Sequence, residues 1–503
     1  MSPARTVILI IAASSIVRIL FAAAVGLCID ESYIAGVSRR FALSYFDHPP
    51  LHIWLVGGWA KLIGDDRAVI LRLPFIALFA GSTWLMFRLT ARAFGQRAGL
   101  WAALALSLAP VLTLSIGSWV LPDGPLMFFA LLSIWFVARP IFANSPPDEL
   151  WPWLAAGAAG GFALLSKYIG VFVFAGVGLF LLTSRPHRRW LGTLGPWLGA
   201  LIAALLFAPV VVWNAQHGWA SFAFQGSRGL PKAFHIEWLL QDIGGQIGYL
   251  LPWIAGPLIY VLAQALMRAR SDRAGWFFAC LAIGPVAAFV LLGFWTPVLP
   301  HWPMLGWLFT FPLLGRALAR LETTHGRGLR RAAGASSAIL IGFLALAATQ
   351  AATGWASRLV PGLLDKDPTL DVLDWRDLKP ILIARGLLAP GTIVATPSWI
   401  DAGKVNSALG GEFLVLCVSP DPREFAYLQD ERRVVGRDAI IVANATRSDW
   451  MERVKDRFER VESLDDVILT RAGQPVVTLR IARGVGLKLP FSDTRWRFNL
   501  PIG

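Results

Sequence analysis

The feature that most restricts how this chain can fold is a series of long apolar stretches in its first 354 residues. A helix of about 20 apolar residues spans the roughly 30 Å hydrocarbon core of a bilayer. Such a helix also satisfies its own backbone hydrogen bonds, which lipid cannot do. The stretches predict eleven transmembrane helices, near residues 7–27, 69–90, 98–118, 122–138, 152–166, 168–183, 191–213, 247–267, 275–293, 303–319 and 335–353.

Composition excludes the other broad classes of protein. Of the 503 residues, 56% are apolar and 16% are charged, whereas soluble chains carry about 25% charged residues. A soluble globule could not bury so much apolar surface, and a disordered chain would be far more polar. The three cysteines, Cys28, Cys280 and Cys417, are too scattered for a disulfide framework or a paired metal motif.

The distribution of charge predicts the orientation of the bundle. Residues 1–354 hold 25 Lys and Arg against 12 Asp and Glu, and the remaining 21 and 20 lie in residues 355–503. Basic loops mark the cytoplasmic side of a membrane protein, so this excess does not indicate nucleic-acid binding. An odd number of spans with the N-terminus inside places the end of the chain outside. The predicted cytoplasmic loops carry Arg88, Arg92, Arg97, Arg139, Arg185, Arg188, Arg189, Arg268, Arg270, Arg273, Arg316, Arg320, Arg327, Arg330 and Arg331.

The tail, residues 355–503, has a different pattern from the bundle. Short β and helical segments alternate there, which is typical of an α/β domain. The sequence therefore predicts a polytopic α-helical membrane domain, residues 1–354, followed by a small non-cytoplasmic α/β domain, residues 355–503. Predicted strands cover 393–396, 413–418, 439–443, 467–470 and 476–481, and predicted helices cover 398–409, 422–429 and 447–458.

The loop after the first span contains the residues best suited to chemistry. Asp30 and Glu31 follow the span directly, and the run YFDHPP, with Asp47 and His48, comes later in the same loop. Consecutive helical residues project about 100° apart, so one acid can face a site while the other caps or pairs locally. The two prolines restrict the backbone before them to extended conformations. In the alternative, the acids only cap a helix and Asp47 is a solvated turn residue.

Three segments resemble the family 39 glycosyltransferases, the aminoarabinose lipid A transferases and protein mannosyltransferases. The first is the acidic pair followed by YFDHPPLHIW; the aminoarabinose enzymes have Phe-Glu-Lys-Pro-Pro-Leu here, where this chain has Asp47-His48. The second, LPDGPL at 121–126, resembles the family's Pro-Asp motif, and the third, SKYIG at 166–170, its Lys-Gly stretch. The resemblance covers roughly residues 20–310 and implies the polytopic GT-C fold.

The resemblance implies transfer of a sugar from a polyprenyl-phosphate carrier to an acceptor, with single-displacement inversion at the anomeric carbon. A carboxylate suits the general base that this reaction needs; Asp30 is the first choice, with Glu31 and Asp47 as further catalytic candidates. The phosphate leaving group needs cationic or hydrogen-bonding partners. The candidates for substrate binding are His48, Asp123, Lys167, Arg228 and His301.

Several of these residues also have a structural interpretation. Lys167 could anchor a span at the membrane surface, and Asp123 could cap the fourth span. His48 stands where the family has lysine, and neutral imidazole is a weaker partner for phosphate. His301 lies in the aromatic loop FWTPVLPHWP, which could form an interfacial belt or a wall of the site.

These motifs require no cofactor, but they leave a divalent metal open. His217, in the same long outer loop as Arg228, would bind a metal ion together with Asp47, as the aminoarabinose enzymes suggest. A lone histidine is weak support for a metal site, because such sites take three or four protein ligands.

The leading interpretation is a multi-pass enzyme of the bacterial inner membrane with its active site and tail in the periplasm. Its partners would be membrane lipids, the polyprenyl-phosphate sugar and an envelope acceptor: lipid A, the core oligosaccharide of lipopolysaccharide, another glycolipid or a polysaccharide. A protein O-mannosyltransferase and a lipid-linked sugar transporter or flippase are the alternatives. Transporters bind substrate near the membrane midplane, whereas eight of the twelve acids of residues 1–354 lie in predicted outer loops.

Overall fold

The computed structural model describes residues 1–113, 116–143, 146, 149–230, 232–360, 367–428 and 433–488. Within these residues the chain forms a helical bundle followed by a five-stranded sheet. A helix lies on each of the eleven apolar stretches. The helices before the tail are α1 (Pro3–Ala24), α2 (Ile29–Val37), α3 (Leu51–Ile63), α4 (Ala68–Phe94), α5 (Gln96–Leu108), α6 (Pro110–Thr113), α7 (Asp123–Phe142), α8 (Trp151–Ser166), α9 (Val171–Thr183), α10 (Leu194–Gln216), α11 (Ala220–Arg228), α12 (Ile236–Leu250), α13 (Pro252–Met267), α14 (Arg273–Leu292), α15 (Met304–Leu308) and α16 (Phe311–Thr353).

The predicted number of eleven spans needs correction. Among the described helices, six are long and apolar enough to cross a membrane, or seven if α12 and α13, which meet at a bend of 109°, are one broken span. Two predicted spans fall in the single 43-residue helix α16, which has a non-helical break at His325. Three others correspond to α5, α8 and α9, with 13, 16 and 13 residues, which are shorter than a bilayer core requires.

Two short helices, α2 and α3, carry the chain from α1 to α4. The carboxylate of Glu31 accepts a hydrogen bond from the Cys28 amide at 2.9 Å, which caps the start of α2. Pro50 precedes α3, and Gly64, with φ of 72°, ends it in the left-handed conformation that glycine adopts most readily. We call the side of the bundle that carries α2 and α3 the loop side.

The tail forms the predicted α/β arrangement. The sheet order is β2-β1-β3-β5-β4, in which β2, β1 and β3 are parallel and β5 is antiparallel to both of its neighbours. Val394, in the central strand of the parallel part, lies opposite Val415 and Ile440. The elements are α17 (Trp355–Leu359), α18 (Leu378–Ala384), β1 (Ile393–Thr396), α19 (Trp399–Ala408), β2 (Leu414–Cys417), β3 (Ala439–Asn444), α20 (Trp450–Lys455), β4 (Phe458–Arg471) and β5 (Gln474–Leu487).

The tail departs from the sequence-based expectation at two places. The predicted helix 422–429 is a 3₁₀ turn over Arg423–Ala426, and Gln429 lies outside the described residues. The strands β4 and β5 have 14 residues each and are longer than predicted. They are joined through Ala472 and Gly473, both with positive φ, and a two-residue turn of this kind matches the twist of paired strands and extends their pairing.

The tail packs directly on the loop side of the bundle. Helix α19 lies against α2, and Gly403 allows the close approach, because a Cβ there would meet the Tyr33 Cα at 2.8 Å. The Lys404 ammonium donates to the carbonyl oxygens of Leu27 and Asp371, each at 2.6 Å. One buried apolar cluster contains residues of both parts, namely Leu27, Tyr33, Ile34, Val37, Ile53, Val56, Phe75, Leu378, Val394, Ala402, Val405 and Leu469.

Candidate active site

A cavity of about 410 Å³ lies between the loop side of the bundle and the tail. This volume is in the range of small-molecule binding sites. Seven of the nine residues singled out from the sequence line it; Glu31 and His217 do not. The seven are Asp30, Asp47, His48, Asp123, Lys167, Arg228 and His301.

Asp30 presents a free carboxylate to this cavity. It lies in the first turn of α2, and within the described part of the chain it has no hydrogen-bond or ion-pair partner. The residue is accessible to solvent in the cavity, yet protein surrounds it, and this burial raises the pKa of Asp30. The charge of Arg423 acts in the opposite direction. Asp30 is therefore well placed to accept a proton from a bound group.

Glu31 points to the opposite face of α2 and is part of a buried ion pair. The Arg72 guanidinium donates to its two oxygens at 2.8 and 2.5 Å, and the Val120 amide donates at 3.0 Å. Neither charged side chain has measurable exposure. Burial alone would raise the pKa of Glu31, but the attraction of Arg72 outweighs it and the pKa is lowered. Because its carboxylate is fully used inside the protein, the prediction that Glu31 takes part in catalysis does not agree with its position.

Asp47 is held on two sides. The Tyr33 hydroxyl donates to one carboxylate oxygen, and the Arg423 guanidinium donates to the other at 3.1 Å. The Gln225 side chain also donates to the Asp47 carbonyl oxygen. Burial raises the pKa of Asp47, and Arg423 and Tyr33 lower it. Asp47 is thus a fixed acceptor and is less free than Asp30 to take a proton.

His48 follows in the run before the two prolines and is neutral. Its Nδ1 atom is buried and has no hydrogen-bond partner among the described residues. Burial lowers the pKa of His48 well below its usual range, and the neighbouring His52 and Lys167 act in the same direction. A neutral imidazole can donate or accept one hydrogen bond to a ligand but cannot supply the charge of the family's lysine.

Asp123 and Lys167 form an ion pair at the bundle side of the cavity. The Lys167 ammonium lies 2.9 and 3.0 Å from the two oxygens of Asp123. Asp123 begins α7, and Lys167 follows the last residue of α8, so the pair joins the ends of two helices. The interpretations of Lys167 as a membrane anchor and of Asp123 as a simple cap are therefore incomplete, because each charge is the partner of the other.

Arg228 is the cavity cation without a carboxylate partner in the described part of the chain. Its guanidinium stacks on Trp302 at 4.9 Å and lies 5.7 Å from the Phe224 ring. His301 precedes Trp302 in the cavity wall, and burial, together with the charge of Lys167, lowers the pKa of His301 to about 4. Arg228 is consequently the group best placed to receive an anion.

His217 does not support the predicted metal site. Its Nδ1 atom lies 2.7 Å from the Trp213 carbonyl oxygen, and its ring stacks on the Trp213 ring at 4.1 Å. Asp47 is already engaged by its own partners. Among the described residues, no group of three or more His, Cys, Asp and Glu side chains is arranged to hold a metal ion. The groups around His217 and Asp47 therefore do not fit a metal ion.

The tail contributes two residues to the cavity that no sequence motif indicated. Trp399 and Arg423 both line it. Trp399 follows β1, and Arg423 lies in the turn after β2, so both leave the carboxyl ends of neighbouring parallel strands. That edge of a parallel sheet commonly carries ligand-binding residues, and this is the signal that could have identified them.

The segment that carries most motifs of the cavity is similar in sequence to known proteins. A family model described as "Dolichyl-phosphate-mannose-protein mannosyltransferase" matches residues 47–213, a range that includes Asp47, Asp123 and Lys167. Two proteins named Dolichyl-phosphate-mannose--protein mannosyltransferase 1 are similar over 170 and 172 residues. The one from Candida albicans is 31% identical and the one from Saccharomyces cerevisiae 28%. Each match covers 30% of this chain but 19% and 21% of the relatives, so the chain spans about a fifth of their length.

The fold is similar to solved structures over almost the whole chain. The structure of ArnT from Cupriavidus metallidurans bound to undecaprenyl phosphate has a TM-score of 0.67 at 17% identity, covering 95% of this chain and 97% of that one. The apo ArnT structure gives 0.66 at 19% identity, with the same coverage. The expected GT-C fold, and with it the resemblance drawn from the three motifs, is confirmed.

Proposed function

We propose that this protein is an integral-membrane glycosyltransferase that moves a sugar from a polyprenyl-phosphate carrier to an envelope acceptor. The observation that carries the proposal is one cavity that holds a free carboxylate, Asp30, and a cation, Arg228, neither of which has an ion-pair partner among the described residues. The fold similarity to ArnT, whose structure contains undecaprenyl phosphate, supports a carrier of this kind.

The geometry supports a single displacement with inversion at the anomeric carbon. Asp30 takes the proton of the acceptor hydroxyl as the acceptor oxygen forms its bond to that carbon. The bond between the anomeric carbon and the phosphate oxygen breaks, and its electron pair stays on the leaving phosphate. Arg228 stabilises that charge, and neutral His48 can add one hydrogen bond. A double displacement would need a protein carboxylate that attacks the anomeric carbon. Asp47 is held by Tyr33 and Arg423 and is not free to do so.

We infer that the cavity faces the periplasm and that the protein lies in the inner membrane. Asp123 begins α7 at the cavity, and Arg139 lies in the last turn of the same helix, roughly 24 Å away along its axis. The end of α7 that carries Arg139 also carries the basic loops, with the pairs Arg139–Glu149 and Arg97–Glu322. The positive-inside rule assigns that end to the cytoplasm and the cavity to the other side.

Two acceptor classes are consistent with these observations. The resemblance of the three motifs to the aminoarabinose lipid A transferases favours a glycolipid of the envelope, such as lipid A or the core oligosaccharide. The match of residues 47–213 to the protein mannosyltransferase model favours a protein hydroxyl. Transport of a lipid-linked sugar is the alternative to either transfer reaction. The free carboxylate of Asp30 favours sugar transfer over transport, because a carrier needs no general base.

Reconstituted full-length protein tests the proposal. Proteoliposomes receive a polyprenyl-phosphate sugar with a radioactive label, and either lipid A or a serine- and threonine-containing peptide as the acceptor. We expect transfer to one acceptor, with mass spectrometry showing one added sugar and the released carrier phosphate. The Asp30→Asn variant is the matched control and should give no product. Movement of the label across the membrane without any new glycosidic bond would contradict the proposal and establish transport.

A further inference from the structure

Two consecutive tail residues, Arg423 and Glu424, contact the loop that carries Asp47. The Arg423 guanidinium donates to the Asp47 carboxylate at 3.1 Å, and the Phe46 amide donates to the Glu424 carboxylate at 2.6 Å. The Tyr33 hydroxyl joins the two contacts, because it accepts from the Glu424 amide at 3.0 Å and donates to Asp47. We call these five residues the clasp.

The backbone at Arg423 is held in an unusual conformation. Its φ of 53° lies in the left-handed region, which is unfavourable for a residue with a Cβ. The guanidinium stacks on Trp399 at 4.1 Å and also approaches the Phe224 ring at 5.6 Å. Non-glycine residues persist in this region where their surroundings hold them, and such outliers cluster at functional sites. The conformation therefore serves to aim Arg423 at the cavity.

Several charged groups surround Asp30 and Asp47, two of the three carboxylates that line the cavity. Arg423 lines the cavity together with both of them, and its positive charge counteracts the effect of burial on the pKa of each. Burial raises the pKa of Glu424 well above its usual range. The titratable groups near Asp30 or Asp47 are Tyr33 from α2, Tyr168 from the turn after α8, Arg228 from α11, and Asp421, Arg423 and Glu424 from the tail. Glu31 acts on Asp30 only through its charge, from the opposite face of α2.

We propose that the tail completes the active site through the clasp, and that Arg423 is a positioning residue that fixes Asp47 and keeps Asp30 ready to accept a proton. This proposal rests on the proposed function for its catalytic part. Its structural part, the attachment of the Asp47 loop to the tail, stands independently. The tail would then be a part of the catalytic unit and not an accessory domain.

The catalytic part predicts a change in the pH profile of transfer. In Arg423→Gln, the loss of the positive charge raises the pKa of Asp30, so the base is protonated at a higher pH than in the natural protein. We expect the ratio of the rate at pH 6 to the rate at pH 8 to fall, by at most about tenfold for each pKa unit that Asp30 gains. Arg423→Lys should restore most of that ratio, and Arg480→Gln, which breaks an exposed tail pair with Asp466, should leave it unchanged.

An equal loss of rate at pH 6 and pH 8 in Arg423→Gln, with no recovery in Arg423→Lys, would overturn the positioning role. Such a result would mean that Arg423 supports the fold alone. Measurement of the melting temperature of each purified variant separates this outcome from simple unfolding.

The structural part is tested without any assay of activity. Hydrogen–deuterium exchange of the full-length protein in detergent reports the Phe46 amide, whose acceptor is Glu424. We expect Glu424→Ala to speed exchange in the segment around Phe46 at least tenfold, and Glu424→Gln, which keeps an acceptor oxygen, to change it little. Unchanged exchange in Glu424→Ala would overturn the clasp. If the natural protein transfers no sugar at all, the proposed function fails, and exchange still decides whether the clasp exists.

Discussion

Asp30 and Glu31 are neighbours in the chain but belong to two regions with opposite electrostatic designs. In front of α2, Asp30 faces the cavity without a partner among the described residues. Behind α2 lies what we call the junction, where Glu31 pairs with Arg72 and the same guanidinium donates to carbonyl oxygens at the end of α1. Those carbonyl oxygens belong to Ala22, Val25 and Gly26.

The difference shows how a chain can use two neighbouring carboxylates within one helical turn, one for stability and one for catalysis. In the junction every charge has partners, and removal of one leaves a buried charge uncompensated. In the cavity the protein leaves Asp30 and Arg228 available, which costs stability but provides groups that can respond to a ligand. Saturation of hydrogen bonds, rather than residue identity, separates the two regions.

The largest effect that we expect comes from the cavity side of this comparison. Asp30→Asn keeps the shape of the side chain but removes the base, so transfer should fall about 10²–10⁴-fold, or roughly 3–5 kcal/mol at the transition state. The melting temperature should stay within a degree or two, because Asp30 has no partner to lose in the described part of the chain. Initial rates with purified protein in proteoliposomes provide the measurement.

Asp65→Asn is the matched control, since Asp65 is a more peripheral acid that pairs with Arg67 outside the cavity. It should retain nearly full transfer. If Asp30→Asn keeps most of its rate while Asp47→Asn loses it, the base is Asp47, and the cavity face of α2 does not carry the catalytic carboxylate.

The next effect comes from the junction. Arg72→Met leaves Glu31 buried without its counterion and frees the carbonyl oxygens at the end of α1. The folded state should lose about 3–5 kcal/mol, measured as a lower urea midpoint or melting temperature in detergent. The protein that remains folded should still bind donor lipid.

Arg67 precedes α4, five residues before Arg72, and its side chain is exposed. Arg67→Met should therefore leave stability nearly unchanged. The double variant Glu31→Gln with Arg72→Met should recover part of the loss, because no buried charge remains. Full stability in Arg72→Met alone would show that the junction contributes nothing, and the contrast with the cavity would disappear.

The smallest effect that we expect concerns donor affinity. Arg228→Ala removes the available cation, and loss of a hydrogen bond to a charged group costs about 1.5–3 kcal/mol. The apparent KM for the polyprenyl-phosphate sugar should therefore rise, while thermal stability changes little. Lys232→Ala, an exposed cation four residues later that does not line the cavity, is the control. An unchanged KM in Arg228→Ala would remove Arg228 from the donor site.

Much of this arrangement could be predicted from the sequence because it depends on local patterns. Apolar length identified a helix at every predicted span, and alternation in the tail identified each strand of the sheet. The run before the two prolines identified Asp47 and His48, and both line the cavity. These inferences needed only hydropathy, turn chemistry and motif spacing.

The rest depends on contacts between distant segments, which no local pattern encodes. The sequence left open which acid of the pair faced a site, because the answer lies in Arg72, a cation within an apolar helix. Pairing of Asp123 with Lys167 was equally hidden, although both residues were singled out. Arg423 was missed altogether, since it lies in a segment of the tail predicted as a helix, 422–429, and no local pattern there shows that it reaches Asp47.

The contact between Asp47 and Arg423 joins residues 376 positions apart, and this separation has a consequence in time. Ribosomes add about 5–20 residues per second, so the two partners emerge on the order of tens of seconds apart. During that interval the early helices can enter the membrane while Asp47 has no guanidinium beside it. Assembly of the complete pocket is therefore a late event in biosynthesis, and an unfinished chain holds the acids of the site without the arrangement that makes them effective.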